Sequence, residues 1–421
     1  MLRFLTAGES HGQELTVIVD GYPAGIPVDG AYIDSQLGRR QLGHGRSERQ
    51  KMERDHAEIT GGVRGGLSLG GPIALTIANR VWKDWQDRMS VTPGDLGEEV
   101  TRLRPGHADF AGTLKYGHTD VRNVLERSSA RETASRVAVG GLAALLLEQF
   151  GIFVRGHTVS IGPEASEPLP GEYIIGRPGY PPSEDWMRLW EEVEASEVRC
   201  ADPAAAERMI QIIDSAKAAG YTWGGVAQVV AYNVPVGLGT HTQWDKRLDA
   251  ALAGALMSIP SVKGVEIGTG FASAASPGNQ VHDIIRYGAG EGWTRLSNRA
   301  GGVEGGISNG EPLIVQVAFK PISTMRRALP SADLRTGEEV QAHYDRSDTC
   351  VVPAGAVVAE AMVRWVIASA LLEKCGGDSL KEIRRNFDGF IAEQKSRVVG
   401  RPGDELGAVT VVGGSGAQAG I

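Results

Sequence analysis

Two hydrophobic periods run along this chain. Alternating or β-branched runs at Leu15–Val19, Ile73–Ala78, Val226–Tyr232 and Leu313–Phe319, each bounded by Gly, Pro, Asp or Asn, predict strands. Apolar residues spaced by three and four over Arg136–Phe150, Glu207–Ala219, Arg247–Ile259 and Ala356–Lys374 predict helices, with Gly151, Gly220 and Gly376 as stop signals. The two kinds do not alternate as βαβ units, so the expected fold class is mixed α+β. No GxGxxG opens a helix and no GxxxxGK[ST] is present, which removes the best evidence for a Rossmann or P-loop nucleotide fold. The apolar stretches Ala134–Phe150 and Ala354–Leu372 fall short of an uninterrupted membrane span, and the second carries Glu360 and Arg364, so both read as buried core helices. No repeat of fixed period and no clean linker divides the chain. The Pro- and Gly-rich stretch Gly162–Glu184 reads as a surface excursion from one large domain over residues 1–399. Residues 400–421 are Gly-rich with few large apolar side chains, and are expected to form a mobile tail.

Composition narrows the function classes. The chain has 421 residues with 42% hydrophobic content, enough for a sizeable core. Its 43 Lys and Arg stand against 51 Asp and Glu, a net charge of −8, which argues against a general binder of nucleic acid or anionic membrane. An anionic ligand would therefore be held in a pocket. Cys200, Cys350 and Cys375 are widely separated and odd in number, so neither a disulfide framework nor a metal site is indicated. With no apolar signal stretch in MLRFLTAGESHG, a cytoplasmic location is expected. The 57 glycines cluster between apolar runs, as at Gly61–Gly62, Gly65–Gly66, Gly301–Gly302 and Gly305–Gly306, a pattern of tight turns and close backbone approaches that suits a loop-rich site.

Five constellations could carry chemistry. Gly8-Glu9-Ser10-His11-Gly12 places an imidazole in a glycine-flanked turn, where it can move a proton near neutral pH; a purely structural turn is the even alternative. The run from Gly38 through Arg39, Arg40, His44, Arg46, Arg49, Lys51 and Arg54 could converge guanidinium forks on phosphate and carboxylate, or could be a solvated basic face interleaved with Glu48, Glu53 and Asp55. It contains no aromatic residue for base stacking. Arg102–Asp109, with His107, and Arg127–Thr133, with Ser129 and Arg131 at a helix start, form a second anion cradle; an N-cap accounts for Ser129 and Glu132 but not for the arginines. Lys320–Thr324 and Arg346-Ser347-Asp348 complete the set, the last ahead of a helix expected to begin near Ala354. Pairing with Arg346 would keep Asp348 ionised.

The chain resembles the chorismate synthase family from Met1 to about residue 390. GESHGQELTVIVDGYP, ERSSARETASRVAVGGL and RSDTCVVPAGAVVAEAM match three signature regions in order, and RRQLGHGR, RPGHAD, NVPVGLG, GGVEGGISNGEP and KPIST look like further family motifs. The resemblance implies a β-α-β sandwich with helices layered between antiparallel sheets, a homotetramer, and reduced FMN as cofactor. It implies a redox-neutral anti-1,4-elimination of phosphate from 5-enolpyruvylshikimate 3-phosphate to give chorismate. By matching position it implies His11 as proton donor to phosphate, His107 as the group stabilising charge on reduced flavin, and Asp348 as the carboxylate governing the proton on flavin nitrogen 5. Ser10, Arg40, Arg46, Arg49 and Arg131 correspond to substrate contacts. Arg46, Ser129, Ala130, Arg131, Gly305, Lys320, Pro321, Ile322, Ser323, Thr324 and Arg346 correspond to flavin contacts. Pro260-Ser261 stands where relatives commonly have Asn or Gln followed by Ala, so an amide contact to flavin is missing unless the backbone makes it. NADPH and a separate flavin reductase are alternative sources of electrons. Two other classes remain open at this level: an oxidoreductase that turns over its cofactor with substrate, and a polyanion or RNA binder using Arg39–Arg54.

Overall fold

The computed structural model describes residues 2–46, 54–166, 184–288, 292–344 and 347–397. Four strands, β1 (Arg3–Ala7), β2 (Glu14–Asp20), β3 (Glu58–Gly61) and β4 (Ile73–Ala78), form an antiparallel sheet in the order β1-β2-β4-β3. Its pairing follows from the period of two. Leu15, Val17 and Val19 face Ile77, Leu75 and Ile73 across the β2–β4 register, and all six are buried, whereas Ile18 points outward. A second antiparallel sheet contains β5 (Phe153–Ile161), β6 (Glu164–Ala165), β7 (Gly225–Tyr232), β8 (Val262–Ile267) and β9 (Leu313–Phe319) in the order β8-β9-β7-β5-β6.

Between the sheets lie α1 (Gly30–Gln41), α4 (Thr133–Glu148), α7 (Leu248–Met257) and α8 (Val352–Cys375), which pack on one another and on strands of both sheets. A helix in this position must be apolar on nearly every side, and α4 and α8 are buried along almost their whole length. Close packing sets some glycines: a Cβ on Gly140 of α4 would fall 2.3 Å from that of Ala361 on α8, and one on Gly156 of β5 would meet the Ala356 carbonyl at 2.7 Å. This is the mixed α+β sandwich that the family resemblance implied, and one hydrophobic core runs through both sheets and the helices. Helix α8 has the length and composition to cross a membrane, but 83% of its most apolar window is buried inside the fold.

The expected elements are present with shifted ends. The helix expected at Arg136 begins at Thr133, and α6 (Pro203–Ala219) begins four residues earlier than expected, where the Asp202 side chain caps it and Pro203 occupies its first turn. Helix α8 begins at Val352, two residues before Ala354. The Pro/Gly-rich segment begins with β6, which pairs with β5; residues 167–183 and the tail 400–421 lie outside the described residues. Helix α5 (Glu184–Ala195) then covers part of the outer face of the second sheet, where Trp190 and Val193 pack on Val230, Tyr232 and Ile314. Glu360 and Arg364 do not interrupt the core. Glu360 is fully buried, paired with Arg364 one turn on, with Arg39 of α1 at 2.7 Å and with the Gly156 N–H at 2.8 Å.

Candidate active site

The connection from β1 to β2 carries Ser10 and His11. The Ser10 N–H donates to the Glu126 carbonyl at 3.1 Å, and the His11 N–H donates to the Glu126 carboxylate at 2.9 Å. The imidazole Nδ1 lies 2.9 and 3.0 Å from the two oxygens of that carboxylate, and the ring stacks on Trp85 with centroids 3.9 Å apart and planes 21° from parallel. Glu126 follows the short helix α3 (Arg122–Leu125), and Arg122 binds its carboxylate at 3.1 Å. Ser129 caps the turn ahead of α4 by accepting the Arg131 N–H, and its hydroxyl donates to that of Ser10 at 3.2 Å.

From this turn the network passes to the arginines. Arg131 donates to both oxygens of Asp55 at 2.7 Å and to Asn79 Oδ1 at 2.8 Å. Asn79 donates in turn to the Gly12 and Glu9 carbonyls, which ties the arginine to the His11 loop. Arg40, from the last turn of α1, reaches Asp55 at 3.5 Å, Thr133 Oγ1 at 2.9 Å and the Ala130 carbonyl at 3.0 Å. Burial lowers the pKa of Arg40 to about 10; Arg46 and Arg131 push the same way, while Asp55 and Asp348 oppose them. Among the described residues, three guanidiniums therefore meet two carboxylates, Asp55 and Asp348. Arg46 is buried, binds Asp348 at 2.7 Å, and has no hydrogen-bond partner on its Nε among the described residues.

A third group adjoins through Ser347, whose hydroxyl donates to the Thr324 carbonyl at 2.8 Å. Asp109, fully buried at the start of α2 (Asp109–Tyr116), accepts from His107 Nδ1 at 2.5 Å and from Arg104 at 2.8 and 3.0 Å. Burial would raise the Asp109 carboxyl, but hydrogen bonds from His107 and Arg104 outweigh it and hold it well below the usual range. Arg104 also donates to Thr324 Oγ1 at 3.3 Å, and Lys320 Nζ donates to the Gly106 carbonyl at 2.8 Å. Burial, with Lys263 nearby, lowers the Lys320 pKa. A Cβ on Gly106 would lie 3.6 Å from Ser323 Cβ and 3.7 Å from Lys320 Nζ. The Ile322 carbonyl accepts from Thr222 at 2.8 Å, and Pro321 follows Lys320 on the same strand-end loop.

Most of the expected site residues thus fall into adjoining groups: Ser10, His11, Arg40, Ser129, Ala130 and Arg131; Arg46 and Asp348; His107, Lys320, Ser323 and Thr324. Asp348 is paired with Arg46, which the sequence reading did not anticipate; Arg346 and Arg49 lie outside the described residues. Asp348 does not cap α8, whose N-cap is Val351 without a side-chain bond. Ser261 has φ of 72°, and its carbonyl accepts the Lys320 N–H at 2.9 Å, so the backbone of Pro260-Ser261 is tied to the Lys320 loop. Gly305 turns a hairpin over His241, in a different group of loops from the arginines. Asp55, Asn79, Trp85 and Glu126 were missed. The solvated face, one of the two readings of that run, would expose Asp55, yet it is buried between Arg40 and Arg131. A cavity of about 860 Å³ lies elsewhere, between β1, α7 and α8. Convergence of charge, not cavity volume, therefore locates the site.

A family model described as chorismate synthase matches residues 2–372, which takes in every one of these groups. The chain belongs to the chorismate synthase family. The chorismate synthase of Desulforamulus reducens is 52% identical over 393 residues, covering 92% of this chain and 98% of that protein. That of Moorella thermoacetica is 52% identical over 392 residues, covering 93% and 98%. A crystal structure of a chorismate synthase superposes with a TM-score of 0.75 at 42% identity, over 94% of this chain and 98% of that one. The chain is a phosphate-eliminating lyase that converts 5-enolpyruvylshikimate 3-phosphate to chorismate, and its family uses reduced FMN.

Proposed function

We propose that the three groups divide the elimination of phosphate between them. The observation that carries this reading is the meeting of three guanidiniums, Arg40, Arg46 and Arg131, next to an imidazole, with Arg40 reaching a carboxylate only at 3.5 Å and its pKa lowered. Crowded like charges in a buried place are relieved by an anion, so these arginines, with Ser10 and Arg49, hold the phosphate and carboxylates of the substrate. His11 gives a proton to the departing phosphate.

The residues also fit FMN. Hydroxyls on Ser129, Ser323 and Thr324, the Lys320 ammonium and the Arg46 Nε, which has no partner among the described residues, supply donors for a phosphate, a ribityl chain and a polar ring edge. Ala130, Arg131, Pro260, Ser261, Gly305, Pro321, Ile322 and Arg346 would complete that set by family position. Bound there, reduced FMN would supply electron density to assist the loss of phosphate. His107, anchored by Asp109, would offer it a ring N–H, and Asp348, held by Arg46, is a carboxylate able to accept a proton. We further propose a single catalytic domain over residues 1–399, a homotetramer in the cytoplasm, and NADPH or a separate reductase as the source of electrons. The three buried cysteines, all free, agree with a reducing compartment.

An anaerobic assay with reduced FMN and 5-enolpyruvylshikimate 3-phosphate tests the reading. Phosphate and chorismate should appear one for one without net flavin oxidation. Stoichiometric oxidation of the flavin would favour an oxidoreductase instead.

A further inference from the structure

We infer that Glu126 is a positioning residue for His11, fixing which ring nitrogen carries the proton that reaches phosphate; this rests on the proposed acid role of His11. Glu126 is 2% exposed and receives two kinds of bond from one residue, the His11 N–H at 2.9 Å and the ring Nδ1 at 2.9 and 3.0 Å. An ionised carboxylate has no hydrogen to give, so Nδ1 carries one and donates it. The transferable proton is then the one on Nε2, across the ring. A half-turn about the ring's bond to Cβ would set a C–H against the carboxylate and lose the bond. Trp85, face-on at 3.9 Å, restricts tilting out of that plane. Arg122, 3.1 Å from the carboxylate and 5.1 Å over the Trp85 ring, closes the box. The Ser10 N–H on the Glu126 carbonyl binds the same loop a third time.

Such an arrangement does more than hold a loop. A carboxylate on Nδ1 stabilises the imidazolium and selects the tautomer left after transfer, as in hydrolase triads. In the step itself, the N–H bond at Nε2 breaks and an O–H bond forms on the phosphate as its bond to carbon 3 breaks. The ring is left neutral with Nδ1–H still on Glu126, and it regains a proton from solvent.

The tautomer is measurable in the unaltered protein by ¹⁵N NMR of histidine-labelled enzyme, with the His11 signals assigned by their loss in His11→Gln. Neutral His11 should be protonated on Nδ1; the Nε2–H form would overturn the inference. In single-turnover phosphate release, Glu126→Gln should lose roughly 10²-fold with KM changed by less than about threefold, because the amide keeps the loop bond but not the charge. Combined with His11→Ala, it should cause no further loss, as expected of a residue acting only through the other. A wild-type rate for Glu126→Gln, beside an impaired His11→Ala, would overturn the positioning role alone. A wild-type rate for His11→Ala would remove the acid role and the inference with it.

Discussion

Arg39 and Arg40 are neighbours in the last turn of α1, and they end in opposite electrostatic surroundings. Arg39 enters a closely bonded network: Glu360 at 2.7 and 3.0 Å and Glu194 at 2.5 and 3.1 Å, with Arg364 and Arg199 on the far sides. Burial alone would lower its pKa, but the two glutamates outweigh burial and raise it. Arg40 enters a loosely paired group, where its carboxylate contact, Asp55, is at 3.5 Å, and burial, Arg46 and Arg131 together outweigh Asp55 and Asp348 so that the pKa falls to about 10. A single residue step, about 100° around the helix, thus separates a closed ionic lock from an open anion cradle. Close contact with carboxylate, and not burial, distinguishes them, since both arginines are largely withdrawn from water.

Breaking the lock should have the largest effect. Glu360→Gln leaves Arg39 and Arg364 buried without their carboxylate and should cost roughly 3–5 kcal/mol of stability, read as a lower urea midpoint with an unchanged m-value. An unchanged midpoint would show that the network is not locked by charge. Opening the cradle should act on binding instead. Arg40→Gln leaves Asp55 still paired with Arg131, so stability should fall by no more than ~1.5 kcal/mol, while losing a charged hydrogen-bond donor should weaken substrate binding roughly 10–100-fold. A stability loss equal to that of Glu360→Gln would erase the distinction between the two arginines.

Asp348→Asn sharpens the cradle side. The amide can still accept from Arg46 but cannot take up a proton, so phosphate release at saturating FMN and substrate should slow roughly tenfold or more with KM nearly unchanged. A wild-type rate would leave Asp348 as an anchor for Arg46 only. The smallest effect is in the pH dependence of the lock. Burial would raise the Glu360 pKa, but Arg364 and Arg39 depress it well below its ordinary 4.5. A depressed carboxylate contributes stability above its unfolded pKa and loses it as pH falls towards the folded value. The stability gap between wild type and Glu360→Gln should therefore be flat from pH 8 to 5 and narrow only below about 4.5. A gap that closes near neutral pH would contradict the ionised lock.

Legibility in the sequence followed the range of the interactions. Strands β2, β4, β7 and β9 and helices α4, α6, α7 and α8 could be read from local periodicity, because one buried face imposes its period on consecutive residues. Errors were confined to the ends, where caps such as Asp202 decide. The site's basic half was also legible, since Arg40, Arg46, Arg131, His11 and His107 stand in dense motifs. Its acidic half was legible only where it lies inside a motif, as Asp348 does; Asp55 and Glu126 were not. Asp55 lies 76 positions from Arg131, and Glu126 lies 115 from His11.

By itself, the amino-acid sequence determined the α+β class, the helical core, the anionic character of the ligand and, through its motifs, the family. Only the tertiary structure decided which charges are cancelled and which are left over. Arg39 and Arg40 are the same side chain at adjacent positions; what separates them is where Glu360, Glu194, Asp55 and Arg131 arrive once the sheets close on the helices. Electrostatic energy depends on distance in space and on exclusion of water, and neither quantity is written in the order of the residues.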